Sequence, residues 1–246
     1  CLNNKPSYET LKPTDVSLTL KFSPDAKFIA LANEKVEIWN IQKKQVYNNN
    51  SIINLLAQTD IYLLDQIMKG RYNATNKILD AGCGEGRNMH WFFFFFFAIY
   101  GTDINETAIA QLSSANLGLP AERLQVAAVE KLPFADNYFD HIISSAVLHF
   151  ANSTQHFKTM LTEMARVLKT NGSLFIRMTS DIGIENNVKL ISDGVYIIPD
   201  GSKRFLLTKT LLAECMQENN LSFLEPLKTV NVDDLRCMST LVLQKN

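Results

Sequence analysis

The stretch Lys77–Arg87, KILDAGCGEGR, constrains the fold more than any other part of the chain. Ile78, Leu79 and Asp80 have the pattern of a short buried strand. It runs into a turn with glycine at every second position, Gly82, Gly84 and Gly86. Asn88 then opens a segment able to be helical. Glycine lets backbone pass close to a ligand because no Cβ stands in the way. A helix start beyond the turn offers free N–H groups to a negatively charged group. Strand, glycine turn and helix together predict a ligand cradle.

A second signature follows at the spacing of a βαβ unit. Ile99-Tyr100-Gly101-Thr102-Asp103 predicts the next parallel strand, and Asp103 lies 21 residues after Gly82. That is the usual separation for a carboxylate that receives ribose hydroxyls. A diol has two donors and a carboxylate has two oxygens to accept them. The competing reading makes Asp103 the N-cap of a helix starting at Ile104. A dinucleotide site would place glycine at the sixth position counted from Gly82, but Arg87 stands there. This disfavours a nicotinamide oxidoreductase and leaves the pattern D-x-G-x-G-x-G.

That pattern resembles motif I of the class I S-adenosylmethionine-dependent methyltransferases. Four phrases carry the resemblance in order: LDAGCGEGRN, YGTDIN, VEKLPFADNYFDHIISSAVLHF and EMARVLKTNGSLFI. The third is typical of a small-molecule subgroup that includes quinone and sterol methylases. The resemblance covers roughly 52–246. It implies an α/β, Rossmann-like, mainly parallel seven-stranded sheet with an antiparallel C-terminal hairpin. It also implies the cofactor S-adenosyl-L-methionine and direct in-line methyl transfer, with most of the catalysis coming from proximity and orientation.

Residue by residue, the resemblance has Asp80 order the glycine turn, with Gly82, Cys83, Gly84 and Gly86 forming the cradle. Asp103 would take the ribose, Ile104 the adenine face, and Val129 and Glu130 the adenine edge. Ser145 would close the pocket near the sulfonium. One position departs from the family: Ala128 stands where an Asp often faces the adenine amino group. Each residue also has a plainer reading. Cys83 suits packing better than a nucleophile, Glu130 a surface acid, and Ser145 a small strand residue.

No catalytic dyad is required for such a transfer. His149, just after the fourth strand, is the one candidate acid–base or acceptor-orienting group, and a packed histidine is the alternative. The segment Thr179–Leu207 is longer than a plain connection and should select the acceptor, with Tyr196 and Arg204 as substrate contacts. A solvated cap is its alternative role.

Composition limits the partners. The 246 residues carry a net charge of −1 with no basic block, so a nucleic-acid partner is not expected. A small organic acceptor is expected instead, with no membrane attachment and no inference about oligomeric state. Cys1, Cys83, Cys215 and Cys237 form no CxxC pair, so neither a metal site nor a redox dithiol is expected. Four scattered thiols and no visible signal peptide suit the cytoplasm. The chain begins at Cys1 and not at methionine, which suggests a fragment.

Residues 1–48 have a different character from 49–246. Three short alternating strands are expected over 17–48, with turns at 23–26 and 32–35. The phrases Phe22-Ser23-Pro24-Asp25 and Ile38-Trp39-Asn40 resemble one blade of a WD-repeat propeller. Asn48–Ser51 should be a linker. Beyond it, helices are expected over 52–68, 107–117, 154–168 and 208–217. Strands are expected over 124–128, 140–145, 173–178, 223–230 and 238–244, with Gly172 as a left-handed helix cap. Phe92–Phe97 are six consecutive phenylalanines, an aggregation liability with no functional account. That tract and Ala128 lend weight to a second reading, a non-catalytic cofactor-binding pseudo-enzyme or interaction protein.

Overall fold

The computed structural model describes residues 58–95, 97–114 and 119–246, Leu56, and the backbone of 19–22, 28–32, 36–40 and 45–47. The chain divides into two compact units, Cys1–Ala57 and Gln58–Asn246. In the first, β1 (Thr19–Phe22), β2 (Phe28–Ala32), β3 (Val36–Asn40) and β4 (Gln45–Tyr47) form an antiparallel sheet in chain order. Three strands were expected there, and β4 is a fourth. The expected turn at 23–26, residues 33–35 of the second turn, and the linker at 48–51 lie outside the described residues.

The second unit begins with α1 (Ile61–Met68), then β5 (Lys77–Ala81), α2 (His90–Phe94), β6 (Ala98–Asp103) and α3 (Glu106–Ser114). Next come β7 (Leu124–Val126), β8 (Phe139–Ser145), α4 (Thr154–Val167) and β9 (Leu168–Thr179). An antiparallel group of β10 (Lys189–Ser192), β11 (Val195–Ile197) and β12 (Lys203–Phe205) follows. The chain closes with α5 (Lys209–Glu218), β13 (Leu221–Phe223), β14 (Lys228–Val232) and β15 (Arg236–Lys245).

The main sheet has the order β13-β15-β9-β8-β5-β6-β7. β5, β6, β7, β8 and β9 run parallel, and β15 joins β9 antiparallel, with Leu241 opposite Ile176. This is the expected Rossmann-like sheet with one strand more. The expected strand 223–230 is split around Pro226, which has no N–H to give to a ladder. Leu224 and Glu225 both turn their N–H groups to the carbonyl of Val242. β13 and β14 therefore pair separately with β15. Asp233 and Asp234 both take left-handed φ in the three-residue connection, 233–235, that follows.

Neighbouring strand residues alternate between two cores, one on each face. Leu79, Ile142, Leu174 and Leu241 pack with Phe157, Leu161 and Met164 of α4. Ile78, Ile143, Phe175 and Val242 pack with Leu63 of α1, Met89, and Ile109 and Leu112 of α3. Near-continuous apolar strands are what a sheet covered on both faces requires.

Three local expectations need correction. The helix expected over 52–68 is interrupted: Leu56 is helical, 58–60 are not, and α1 begins at Ile61, where the Asp60 carboxylate caps it by accepting the N–H of Tyr62; residues 52–55 and 57 lie outside the described residues. The left-handed residue after α4 is Asn171, at φ 64°, and not Gly172. Gly172 serves close packing instead: a Cβ there would lie 2.9 Å from the carbonyl oxygen of Asp140. Of the phenylalanine tract, Phe92 is fully buried, edge-on to Tyr72 at 5.0 Å and to Phe97 at 5.5 Å. Phe93, Phe94, Phe95 and Phe97 are half-buried.

Candidate active site

The chain leaves β5 toward one side of the sheet, through β6 and β7, and later returns through β8 toward the other. Ligand clefts in open α/β sheets form at this reversal, beyond the carboxyl ends of the strands. A cavity of about 700 Å³ lies there. Its wall includes Gly82, Cys83, Gly84, Asp103, Ile104, Val129, Glu130 and Ser145, eight of the residues singled out from sequence. Asp80, Gly86 and His149 lie outside it, as does Ala128.

The glycine turn is tied to β6. The N–H groups of Gly82 and Cys83 both donate to the carbonyl of Thr102, at 2.8 and 2.9 Å. Gly82, Gly84 and Gly86 all have positive φ, but for different needs. A Cβ on Gly82 would lie within 2.8 Å of both Val147 methyl groups, and one on Gly86 would lie 2.7 Å from Leu112 Cδ1. A Cβ on Gly84 would meet nothing within 4 Å and would enter open space beside the cavity.

Asp103 ends β6 half-exposed. Its Oδ2 accepts the Gly84 N–H at 2.8 Å and its Oδ1 the Asn105 N–H at 2.8 Å. Each oxygen keeps a lone pair for a further donor. The helix that follows is capped by Asn105, whose Oδ1 accepts the N–H of Ala108. Asp103 is thus not needed as the cap. Ile104 beside it is 74% exposed at the cavity rim, a large apolar face open to a ring-shaped ligand. Glu130 lies 3.5 Å from Nε2 of His156, which also lines the wall.

Asp80 is buried at the foot of the turn. Burial pushes its carboxyl up to about 7, against the pull of Arg87, and its Oδ2 has no hydrogen-bond partner. Burial also raises the Cys83 thiol, so a free thiolate is disfavoured there.

Sequence reasoning missed Asp60. It is 3% exposed, yet its Oδ2 accepts the Ser145 hydroxyl at 2.8 Å and Arg177 Nη1 at 3.1 Å. Arg87 Nη2 donates to the same Ser145 oxygen at 3.1 Å. The available signal was an Asp immediately before Ile-Tyr-Leu-Leu, a helix-start pattern. Through Ser145 and Arg87 this network forms part of the cavity wall.

Ala146 borders a second hollow of about 330 Å³, whose wall includes His149, Arg177 and Arg204. Ala146 holds a left-handed φ of 64°. Its N–H donates to the carbonyl of Arg177 at 2.8 Å, which fixes the partition between the two spaces. Burial, followed by the Arg204 charge, lowers the His149 imidazole to about 4, so it is neutral at pH 7. Tyr196 is not brought to this hollow. It pairs across strands with Arg204 but lines a separate depression with Phe205 and Leu211. Among the described residues, no group of three or more His, Cys, Asp or Glu could hold a metal ion. None of their helices is long and apolar enough to cross a membrane.

Residues 79–176 match a family described as a methyltransferase domain. Among curated proteins, the chain is 31% identical over 127 residues to an uncharacterized methyltransferase, YodH, of Bacillus subtilis, covering 50% of this chain and 48% of that one. It is 39% identical over 82 residues to the ubiquinone/menaquinone biosynthesis C-methyltransferase UbiE of Chromobacterium violaceum, covering 32% and 31%. A tRNA (carboxymethyluridine(34)-5-O)-methyltransferase of Arabidopsis thaliana is 33% identical over 103 residues, covering 40% and 23%. The chain thus spans about half the length, or less, of these relatives. In fold it is similar to a protein of Pyrococcus horikoshii, with a TM-score of 0.61, 18% identity, and coverage of 76% and 89%. A SAM-dependent methyltransferase of Methanosarcina mazei gives a TM-score of 0.58 at 18% identity, covering 73% and 96%. The sheet order and the glycine turn agree with these matches: residues 79–176 are similar to the methyltransferase-domain family, and the fold is shared with a SAM-dependent methyltransferase.

Proposed function

We propose that this chain transfers a methyl group from S-adenosylmethionine directly to a small organic acceptor. The observation that carries the reading is the glycine turn beside the larger cavity. Gly84 leaves open space where a side chain would stand, and Asp103, bonded to the Gly84 N–H, keeps acceptor capacity. The volume suits a ligand of nucleoside size. When bound, the cofactor supplies an electrophilic sulfonium methyl.

The chain's residues hold and orient. Gly82, Cys83 and Gly84 present backbone to the amino-acid part, and the unpartnered oxygen of Asp80 can accept a donor from it. Asp103 receives the ribose hydroxyls, and the apolar faces of Ile104 and Val129 take the base. Glu130 and His156 stand at its edge. With Ala128 offering no carboxylate, base recognition falls to backbone and to these neighbours. Ser145, oriented by Asp60 and Arg87, closes the wall toward the second hollow. His149, neutral near pH 7, is a weak base, so its role is to orient the acceptor; general-base catalysis would need a pKa closer to the working pH.

The small-molecule reading is supported by the near-neutral net charge and by the modest volume of the second hollow. We also take 1–48 as a separate β segment, blade-like in its antiparallel meander, and the cytoplasm as the compartment that suits scattered thiols. Calorimetric titration with S-adenosylhomocysteine, followed by a methyl-transfer assay over a panel of small acceptors and over bulk tRNA, tests the proposal. Transfer to a small acceptor supports it, and transfer to tRNA alone overturns the acceptor class. Cofactor binding with no transfer to any acceptor favours the pseudo-enzyme, and absence of cofactor binding overturns the reading as a whole.

A further inference from the structure

We infer that the second hollow recognises a carboxylate on the acceptor. The inference rests on the reading that the larger cavity holds the cofactor, because it assigns the neighbouring space to the acceptor. Three guanidinium side chains, Arg177, Arg204 and Arg236, line a hollow of only about 330 Å³. Their sequence positions are far apart. Sheet order brings two of them near: Arg177 lies on β9 opposite Thr240 of β15, and Arg236 begins β15. The third, Arg204, arrives on β12.

The charges in this wall are poorly balanced. Asp60 pairs with Arg177, and its carboxylate is buried behind that side chain. Among the described residues Asp200 is the one carboxylate in the lining; its Oδ1 accepts the N–H and hydroxyl of Ser202, and its charge acts on Arg236 and Arg204 without a close ion pair, one negative charge against two. Among the described residues, neither Arg204 nor Arg236 has a carboxylate oxygen within 4.0 Å. Arg204 instead stacks over Phe150, with its guanidinium carbon 5.2 Å from the ring centre.

Unmet donors and acceptors add a second argument. His149 is 7% exposed and lines the hollow, and its Nδ1 has no hydrogen-bond partner; the Nε of Arg177 is likewise buried and unpartnered. A buried polar atom left unpartnered is costly, and a ligand that supplies its partner recovers that cost. A planar carboxylate fits the guanidinium fork, accepts from a neutral imidazole N–H and offsets the excess positive charge. Thr179 and Ser202 supply further polar wall, and Ile198 and Met238 supply an apolar side for the rest of a small acid.

The test uses the whole chain and pairs of probes that differ only in charge: benzoate and benzamide, 4-hydroxybenzoate and 4-hydroxybenzamide, indole-3-acetate and indole-3-acetamide. Calorimetry with S-adenosylhomocysteine is run separately, so failure of the cofactor reading is seen by itself. The acids and amides are then titrated with and without that nucleoside. At least one acid should bind tenfold or more tightly than its amide. In the double variant Arg204→Gln/Arg236→Gln that preference should fall below threefold, with nucleoside affinity within twofold of the parent. Both arginines reach solvent, so the variant should fold, which thermal melting checks. No acid preferred over its amide in any pair, or a preference that survives the double substitution, overturns the inference. Inorganic phosphate displacing the preferred acid at lower concentration than acetate does would assign the hollow to a phosphorylated ligand instead.

Discussion

The buried carboxylate of Asp60 accepts the hydroxyl of Ser145 at 2.8 Å across 85 residues of sequence. It joins the start of α1 to the end of β8 and holds Arg177 with the same oxygen. Asp60→Ala would strip α1 of its cap and leave Arg177 without its counter-ion. Breaking one partner of a buried pair costs about 3–5 kcal/mol, so urea denaturation should show a loss in that range. Ser145→Ala removes only the hydroxyl and should cost about 1 kcal/mol.

Cofactor affinity should depend on Asp103 and Gly84 in different ways. Asp103→Ala removes charge-assisted hydrogen bonds and frees the Gly84 N–H, so S-adenosylhomocysteine should bind about 2–3 kcal/mol more weakly by calorimetry. Gly84→Val places a branched side chain in the open space and strains a backbone at φ 51°, and should abolish binding. A Gly84→Val protein that binds normally would move the cofactor elsewhere.

Acid should weaken the fold, and three buried groups supply a calculable part of the slope; His90, lowered by burial, and Glu225, held low against its burial by Lys228 and Lys69, act in the same direction. Burial lowers His141 and His149 from 6.5 to about 4, so between those values the unfolded chain takes up two protons that the folded chain does not. Burial raises Asp80 from 3.8 to about 7, so over the same range the folded chain holds one proton that the unfolded chain releases. From these groups the unfolded state holds a net excess of one proton. These three groups should therefore contribute a fall of about 1.4 kcal/mol for each pH unit of acidification between pH 6.5 and 4. Replacing His149 with Gln removes one of the two histidine protons and should make the slope shallower by about 1.4 kcal/mol per pH unit. Denaturant titrations at several pH values check both outcomes.

Deleting 1–48 should leave nucleoside affinity within twofold, because every described residue lining the larger cavity belongs to the unit from Gln58 onward. A calorimetric loss of binding with the circular-dichroism spectrum of the α/β unit intact would contradict the division.

Much of the fold was legible because its signals are local. Ile78-Leu79 predicts a buried strand, the glycines mark the turn, and an acid at the end of the next strand marks Asp103. The antiparallel end of the sheet follows from a short connection before β15. Features that depend on distant residues were not legible. Arg177 and Arg236 meet only because β15 lies beside β9, and no spacing in the chain records that. Apolar spacing continues across Asp60 and hides the helix start it caps. The three strands of the cap have one local signal, the hairpin turn Asp193-Gly194, and their short, mostly exposed strands carry little apolar alternation. Tyr196 was grouped with Arg204 by proximity in sequence, and pairing across β11 and β12 does keep them opposite, but the two line different hollows.

Ala146 lines both hollows. Occupants of the two chambers share that residue, and any coupling between them is reciprocal. Whatever factor an occupant on one side imposes on affinity across the wall, the occupant on the far side must impose in return. A bulkier side chain at Ala146 would press on both chambers at once.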